Sequence, residues 1–282
     1  TMHGIARLHE LENLTMSSVG RMGQTLGSLA QRQASVAPSF VVTTSALKEF
    51  VILSGIRDRV FSLLKARDAE ALHDLLLNQH VPDDLEEDLF MHCSGLKADQ
   101  FICRSSSAFL DHDYSHPAQS KHKVLDAIKG CWASVVTSDR IGTLNKSNLF
   151  SAVVVQPSPS GAKKGRLYTV NPMTNSKEKI LIELCEPKKH MLLVNRGDSK
   201  VINEDDFRTV QSPLFIDEKD ALVELAAQVG ALFRRPQTVE WVQLGKEIAI
   251  TRVSEFDTAE KMRFTQRLKT SGSELAKVPI TE

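Results

Sequence analysis

The alternation of apolar and polar positions changes character once along this chain, near residue 150. Before that point apolar residues recur at helical spacing. Leu47, Phe50 and Val51 follow the short apolar run FVVTT, with Thr44 or Ser45 placed to cap, and predict a helix. Residues 56 to 77 carry Ile56, Val60, Leu63, Leu64, Leu72, Leu75 and Leu76, the spacing of one or two amphipathic helices. KVLDAIKGCWASVV predicts another, with Val124, Ile128, Cys131, Trp132 and Val135 turned inward.

After residue 150 the runs shorten to SAVVVQ, GRLYTVNP, KILIELCE, HMLLVN and KVINE, each closed by Ser, Gly, Pro, Asn or Lys. These predict strands, joined closely enough to pair as antiparallel neighbours. A helix from Asp217 to Arg234 interrupts them, with Leu222, Leu225, Ala226, Val229 and Phe233 as its apolar stripe. Acids in its first turn and Arg234 and Arg235 at its end suit the helix dipole, and Pro236 stops it. TVEWVQLGKEIAITRVSEF predicts a hairpin around Gly245-Lys246, since glycine at the first central position suits a type II′ turn. Alternation puts Val239 and Trp241 on one face and Glu240 on the other. A helix and a polar tail follow Phe256. The expected class is α/β (α+β): a helix-rich lobe over 1–150, an antiparallel-sheet lobe over 151–256, and a helix with tail over 257–282.

Composition changes this picture little. The 282 residues are 41% hydrophobic and 25% charged, as in a soluble globular protein, and Lys plus Arg balance Asp plus Glu at 35 each. No global field draws the chain to nucleic acid or an anionic membrane, so any anion site is local. Cys93, Cys103, Cys131 and Cys185 lack zinc-ligand or redox spacing and read as buried reduced thiols. No apolar run approaches the roughly 18 residues of a bilayer span, and the opening residues lack the apolar core of a secretory signal; the expected location is the cytosol, with an organelle as the alternative.

Candidate chemistry starts at FICRSSSAFLDHDYSHPAQS, where an apolar strand delivers Arg104 and three serines into a polar loop, a way in which chains meet phosphate. Arg104 fits either a phosphate contact or a salt bridge between lobes. His112, His116 and His122 with Asp111 and Asp113 supply metal-ligand types without fixed geometry. Lys163, Lys164, Lys188 and Lys189 read as solvated turn charge, or as a small anion patch on neighbouring hairpins.

Several strings, in order, resemble the N-terminal ATP-grasp domain of the phosphoenolpyruvate synthase and pyruvate phosphate dikinase family. MGQTLGSLA and VAPSFVVTTSALKEF are similar to its GGKGASLAE and PPGFVVTT; CRSSSA is similar to VRSSA, and LDAIKGCWASVVTSDRI to a helix ending in CWASLFSDRA. SAVVVQ, GRLYTVNP and TVEWVQ follow as AVVVQ, GVMFTVDP and DIEWA do. The resemblance, over residues 19 to 256, implies a two-lobed ATP-grasp fold with mixed and antiparallel sheets flanked by helices. It also implies ATP and Mg2+ as cofactors. Arg104 then stands at the phosphate-contacting arginine, Gln156 at the end of the strand leading to the adenine hinge, and Glu240 at the magnesium glutamate.

Other positions depart from the family. Thr25 replaces the glycine-rich lysine, Thr238 an acid, Leu110 a loop glutamate and Asn171 the aspartate of TVDP. The terminal QARP becomes TRVSE, so the catalytic arginine falls on Ser254 or Val253, and Arg252 either points into the cleft as a stand-in cation or is a solvated edge arginine. Losing a lysine and an arginine from a triphosphate site costs about 3 to 6 kcal/mol, enough to turn micromolar binding into roughly millimolar. The resemblance therefore implies a degenerate domain with no catalytic residue assigned, and weak or absent ATP and Mg2+. Its expected role is binding or scaffolding, with a protein partner or further domains. The alternative is a phosphotransferase subunit using Arg104, Gln156, Glu240 and Arg252 and passing a phosphoryl group to a histidine elsewhere.

Overall fold

The computed structural model describes residues 4–110, 114–187, 189–204 and 214–271. The architecture is α+β, with two antiparallel sheets in two units. The first unit comprises residues 1–32 and 38–160, the second 33–37 and 161–282.

In the first unit, β1 (Ile5–Arg7), β2 (Phe40–Val42), β3 (Phe101–Ser106), β4 (Ser115–Ala118) and β5 (Ala152–Pro157) form a sheet of order β1-β2-β5-β3-β4. SAVVVQ, expected with the second lobe, is β5. It pairs with β2 and β3 and so belongs here. Around the sheet lie α1 (Met16–Gln31), α2 (Thr44–Leu53), α3 (Arg57–Ala66), α4 (Ala69–Asn78), α5 (Asp83–Gly95) and α6 (Val124–Ser134). The apolar run over 56–77 makes two helices because Arg67 adopts a left-handed φ of 57° and Asp68 then caps α4 by accepting from the Ala71 N–H at 3.0 Å. The start of α2 differs from expectation. Thr43 is its N-cap residue without a side-chain capping bond, while the Thr44 hydroxyl donates to Ser17 O at 3.1 Å. Trp132 on α6, fully buried, stacks on Phe50 of α2 at 5.4 Å, fixing the centre of the core. Cys93, Cys103 and Cys131 are buried free thiols as expected, and burial pushes Cys93 and Cys131 up to about 12.

In the second unit, β6 (Lys164–Tyr168), β7 (Lys179–Glu186), β8 (His190–Asn195), β9 (Val201–Glu204), β10 (Gln237–Leu244) and β11 (Glu247–Glu255) form a sheet of order β11-β10-β6-β7-β8-β9. The hairpin turn carries Gly245 at φ 64°, the conformation that glycine was expected to supply. Residues 33–37 lie along β11: Ala37 N donates to Ile250 O and Ile250 N to Ser35 O, both at 2.8 Å. Helix α7 (Ile216–Leu232) packs against β6, β7, β10 and β11 through Leu222, Val223, Leu225, Ala226 and Val229. Its first turn is fixed by Glu218, which accepts from Phe215 N, both ways from Lys163 Nζ, and from Gln243 Nε2, all at 2.8–2.9 Å. Helix α8 (Thr258–Ser271) returns onto the sheet, where Phe264 and Leu268 join Tyr168, Leu181, Met191, Leu193 and Phe256 in one apolar cluster. No helix among the described residues is long and apolar enough to cross a membrane.

Candidate functional site

The strand end that delivers Arg104 closes on itself through its hydroxyls. Ser105 Oγ donates to Tyr114 O at 3.2 Å. Ser106 Oγ donates to Val19 O at 2.8 Å and accepts from Gly23 N at 3.2 Å, while Ser107 Oγ accepts from Phe109 N and Leu110 N at 3.1 and 3.0 Å. The glycine-rich segment therefore docks on the serines, and Gly20 makes the approach possible. It has φ 71°, and a Cβ there would sit 2.2 Å from Ser106 Oγ. Thr25 lies within α1. Arg104 is half-buried on β3, opposite Val154 and Ser115. Gln156 is fully buried on β5 with its Nε2 donating to Ser39 Oγ at 3.2 Å.

In the second unit, register rather than a loop assembles the charged groups. Arg252 on β11 lies opposite Glu240 on β10, Glu240 opposite Arg166 on β6, and Arg166 opposite Glu183 on β7. Since successive side chains alternate faces, one face carries a row of four charges of alternating sign across four strands. The separations are long for charge-assisted hydrogen bonds: Arg252 Nη1 to Glu240 Oε1 is 3.6 Å, and Arg166 Nη1 to Glu183 Oε2 is 3.8 Å.

Glu183, with a side chain only 4% exposed, is the buried member of the row. Tyr168 OH donates to its Oε2 at 2.9 Å, and Arg267 of α8 stands 3.8 Å from its Oε1. The same Arg267 donates from Nη2 to Tyr168 OH at 2.7 Å and to Glu260 Oε1 at 2.9 Å. Burial and the neighbouring Glu183 carboxylate raise the Tyr168 phenol, keeping it a neutral donor. Burial works against the charge on Arg267 and Arg166. Tyr168 and Glu183 outweigh it for Arg267, as Cys185, Glu240 and Glu183 do for Arg166, and both pKa values rise. Burial raises the Cys185 thiol too, with Arg166 opposing. On this face Thr238, opposite Tyr168, is 3% exposed, and its Oγ1 lacks a hydrogen-bond partner among the described residues.

Among the sequence candidates, Glu240 and Arg252 are brought together as cross-strand neighbours in the second unit, and Arg104 and Gln156 both lie in the first. The histidine set shares no metal-binding group among the described residues. Asp111, His112 and Asp113 lie outside them. His116 Nε2 shares a hydrogen bond with Ser134 Oγ at 2.9 Å, and His122 packs on the Phe90 ring at 5.2 Å. Lys163 holds Glu218, Lys164 stands 3.4 Å from Glu186, and Lys188 lies outside the described residues. Arg166, Tyr168, Glu183 and Arg267 were not singled out from sequence. The signal available was a glutamate inside the apolar run ILIELC, a charge that needs a partner when its strand is buried.

The family described as pyruvate phosphate dikinase, AMP/ATP-binding domain, matches residues 16–185. A probable phosphoenolpyruvate synthase of Methanothermobacter thermautotrophicus is 26% identical over 209 residues, 64% of this chain and 30% of that protein. A rifampicin phosphotransferase of Bacillus subtilis is 24% identical over 246 residues, 78% of this chain and 28% of that protein. The chain thus spans about a third or less of the length of these two relatives. A crystal structure of D-alanyl-alanine synthetase A from Vibrio cholerae aligns at TM-score 0.47 and 9% identity over 92% of this chain and 62% of that one.

Proposed function

Because the chain belongs to the pyruvate phosphate dikinase AMP/ATP-binding domain family, we propose that it has kept the fold of a nucleotide-binding domain and acts as a binding or scaffolding module without phosphoryl-transfer chemistry of its own. The observation that carries this reading is the matching of charge on the second sheet and on the helix α8 laid over it. Arg252, Arg166 and Arg267 each lie within 4 Å of a carboxylate, from Glu240, Glu183 and Glu260. Phosphoryl transfer is catalysed chiefly by cations placed around the transferred group, and a cation already facing a carboxylate offers a phosphate less field. The family's catalytic-arginine position, held here by Ser254 or Val253, supplies no replacement. Calorimetric titration with Mg-ATP tests the reading. Expected is no saturable heat below about 1 mM, the level set by losing two charge-assisted contacts. Micromolar binding abolished by Arg104→Ala would overturn it.

The second reading, a phosphotransferase subunit that hands a phosphoryl group to a histidine on another domain or chain, is favoured by the similarity to a rifampicin phosphotransferase. Under it, Arg104, Gln156, Glu240 and Arg252 hold ATP and Glu240 holds Mg2+. Consumption of ATP in the presence of a histidine-bearing partner would support it.

A further inference from the structure

Helix α8 lies on the same sheet face as the charge row. Tyr168 and Leu181, which it covers, share their strands' outward direction with Arg166 and Glu183. It is held there by Phe264 and Leu268, one helical turn apart, and by the single guanidinium of Arg267. That guanidinium reaches Tyr168 and stands beside Glu183, the inner end of the row. At the other end of the row the side chains of Arg252 and Glu240 are each 21% exposed. Beside Tyr168, the buried Thr238 hydroxyl has no hydrogen-bond partner among the described residues, an arrangement that a polar ligand or water on this face would satisfy. Apart from Met262, which is 69% exposed, the remaining surface of α8 is polar, with Lys261, Arg263 and Lys269, so the helix is anchored by one narrow stripe.

We infer that α8 is a displaceable cover of the ligand face of the second sheet, latched by Arg267, so that docking of α8 and binding of a magnesium-bound nucleoside phosphate at the charge row oppose each other. The inference rests on the reading of this domain as a nucleotide-binding fold and adds a regulator to it. The physical basis is competition for the same groups. While Arg267 holds Tyr168 and neighbours Glu183, those side chains keep Arg166 facing a carboxylate; when α8 lifts, Tyr168, Glu183 and Arg166 become free to rearrange around a ligand. Coupling of this kind is reciprocal, so ligand must loosen α8 by the same factor that α8 weakens ligand.

The test uses the full chain and two independent ways of loosening the latch, Arg267→Ala and Phe264→Ala, with circular dichroism confirming the fold of each. Affinity for Mg-ATP is measured by titration up to 10-millimolar-scale nucleotide, roughly the range in which binding near the affinity limit set by lost cations is still readable. Amide hydrogen exchange over 258–271 is followed with and without nucleotide. Expected are Mg-ATP binding at least about fivefold tighter in both variants and faster exchange over 258–271 in the parent chain at saturating Mg-ATP, as reciprocal coupling requires. Unchanged or weaker affinity in folded variants, or slower exchange on adding nucleotide, overturns the cover. Absence of binding in parent and variants alike also overturns it while leaving the non-catalytic reading intact. Micromolar binding by the parent chain removes that reading, yet the ratio between parent and variant still decides the cover.

Discussion

The two sheets handle polar chemistry in opposite ways. In the first, neutral hydroxyls at the end of β3 are spent on backbone groups, some a few residues on and others in α1, more than 80 residues back along the chain, and the result is a turn clamped onto glycine-rich α1. In the second, charges meet across strands at 3.6 to 3.8 Å, beyond ordinary hydrogen-bond length, with a helix laid over part of them. A hydroxyl bonded to backbone has no better partner to go to. An arginine facing a carboxylate keeps its charge balanced without a backbone partner. The first arrangement satisfies backbone groups with neutral hydroxyls, and the second balances charge against charge.

The sharpest way to break this contrast is Gly20→Ala. A Cβ within 2.3 Å of the Ser106 carbonyl at a positive φ leaves no room, and unfolding in urea is expected to show a loss of about 3 kcal/mol or more. A loss under about 1 kcal/mol would mean that the clamp yields. Next comes Glu183→Gln, which removes the buried anion between Arg166 and Arg267. With both arginines about a third exposed, the cost should be about 2 kcal/mol rather than the larger penalty of a fully buried pair. Ser106→Ala, leaving a buried N–H and carbonyl without the hydroxyl, should cost about 1 to 2 kcal/mol by the same urea measurement. Arg252→Ala at the β11 end of the row should cost about 0.5 kcal/mol, and that difference should shrink in 0.5-molar-scale salt, roughly the regime where screening acts within a few ångströms; the Ser106→Ala difference should not.

The smallest expected effect is on pH dependence. Burial lowers the His116 pKa from its ordinary value of 6.5, so the folded protein binds this proton less readily than the unfolded chain. The contribution of neutral His116 is complete above 6.5 and is lost as pH falls from there through the folded value. His116→Gln should flatten that acid limb of a stability profile; an unchanged slope would place the proton elsewhere.

Much of this was legible because local patterns and tertiary structure agree. KILIELCE and HMLLVN are strands to the residue, and the 217–234 stripe is α7 within two residues at either end. What escaped was non-local. β4 lies in a stretch that reads as polar loop, since SHPA has no apolar alternation and becomes a strand only by pairing with β3. Helix α5 opens on Pro82-Asp83-Asp84, and its Leu85, Leu89 and Cys93 repeat is masked in the sequence by the acids around it. Arg166 and Glu183 sit 17 positions apart, and only the register of β6 on β7 makes them neighbours. Sequence could place Glu240 on a face but could not say that Arg252 would stand opposite it, because the bulge after Glu240 shifts the count along the hairpin.

Residues 33–37 give the second unit a long memory of the first. Ser35 Oγ donates to Ile248 O across 213 residues of chain, so this segment must wait for that length to be made before its partner strand exists. Cutting the gene at 160/161 would strand that segment on the wrong fragment and leave β11 with an open flank. A fragment that is to keep β11 flanked has to carry residues 33–37 together with the second unit.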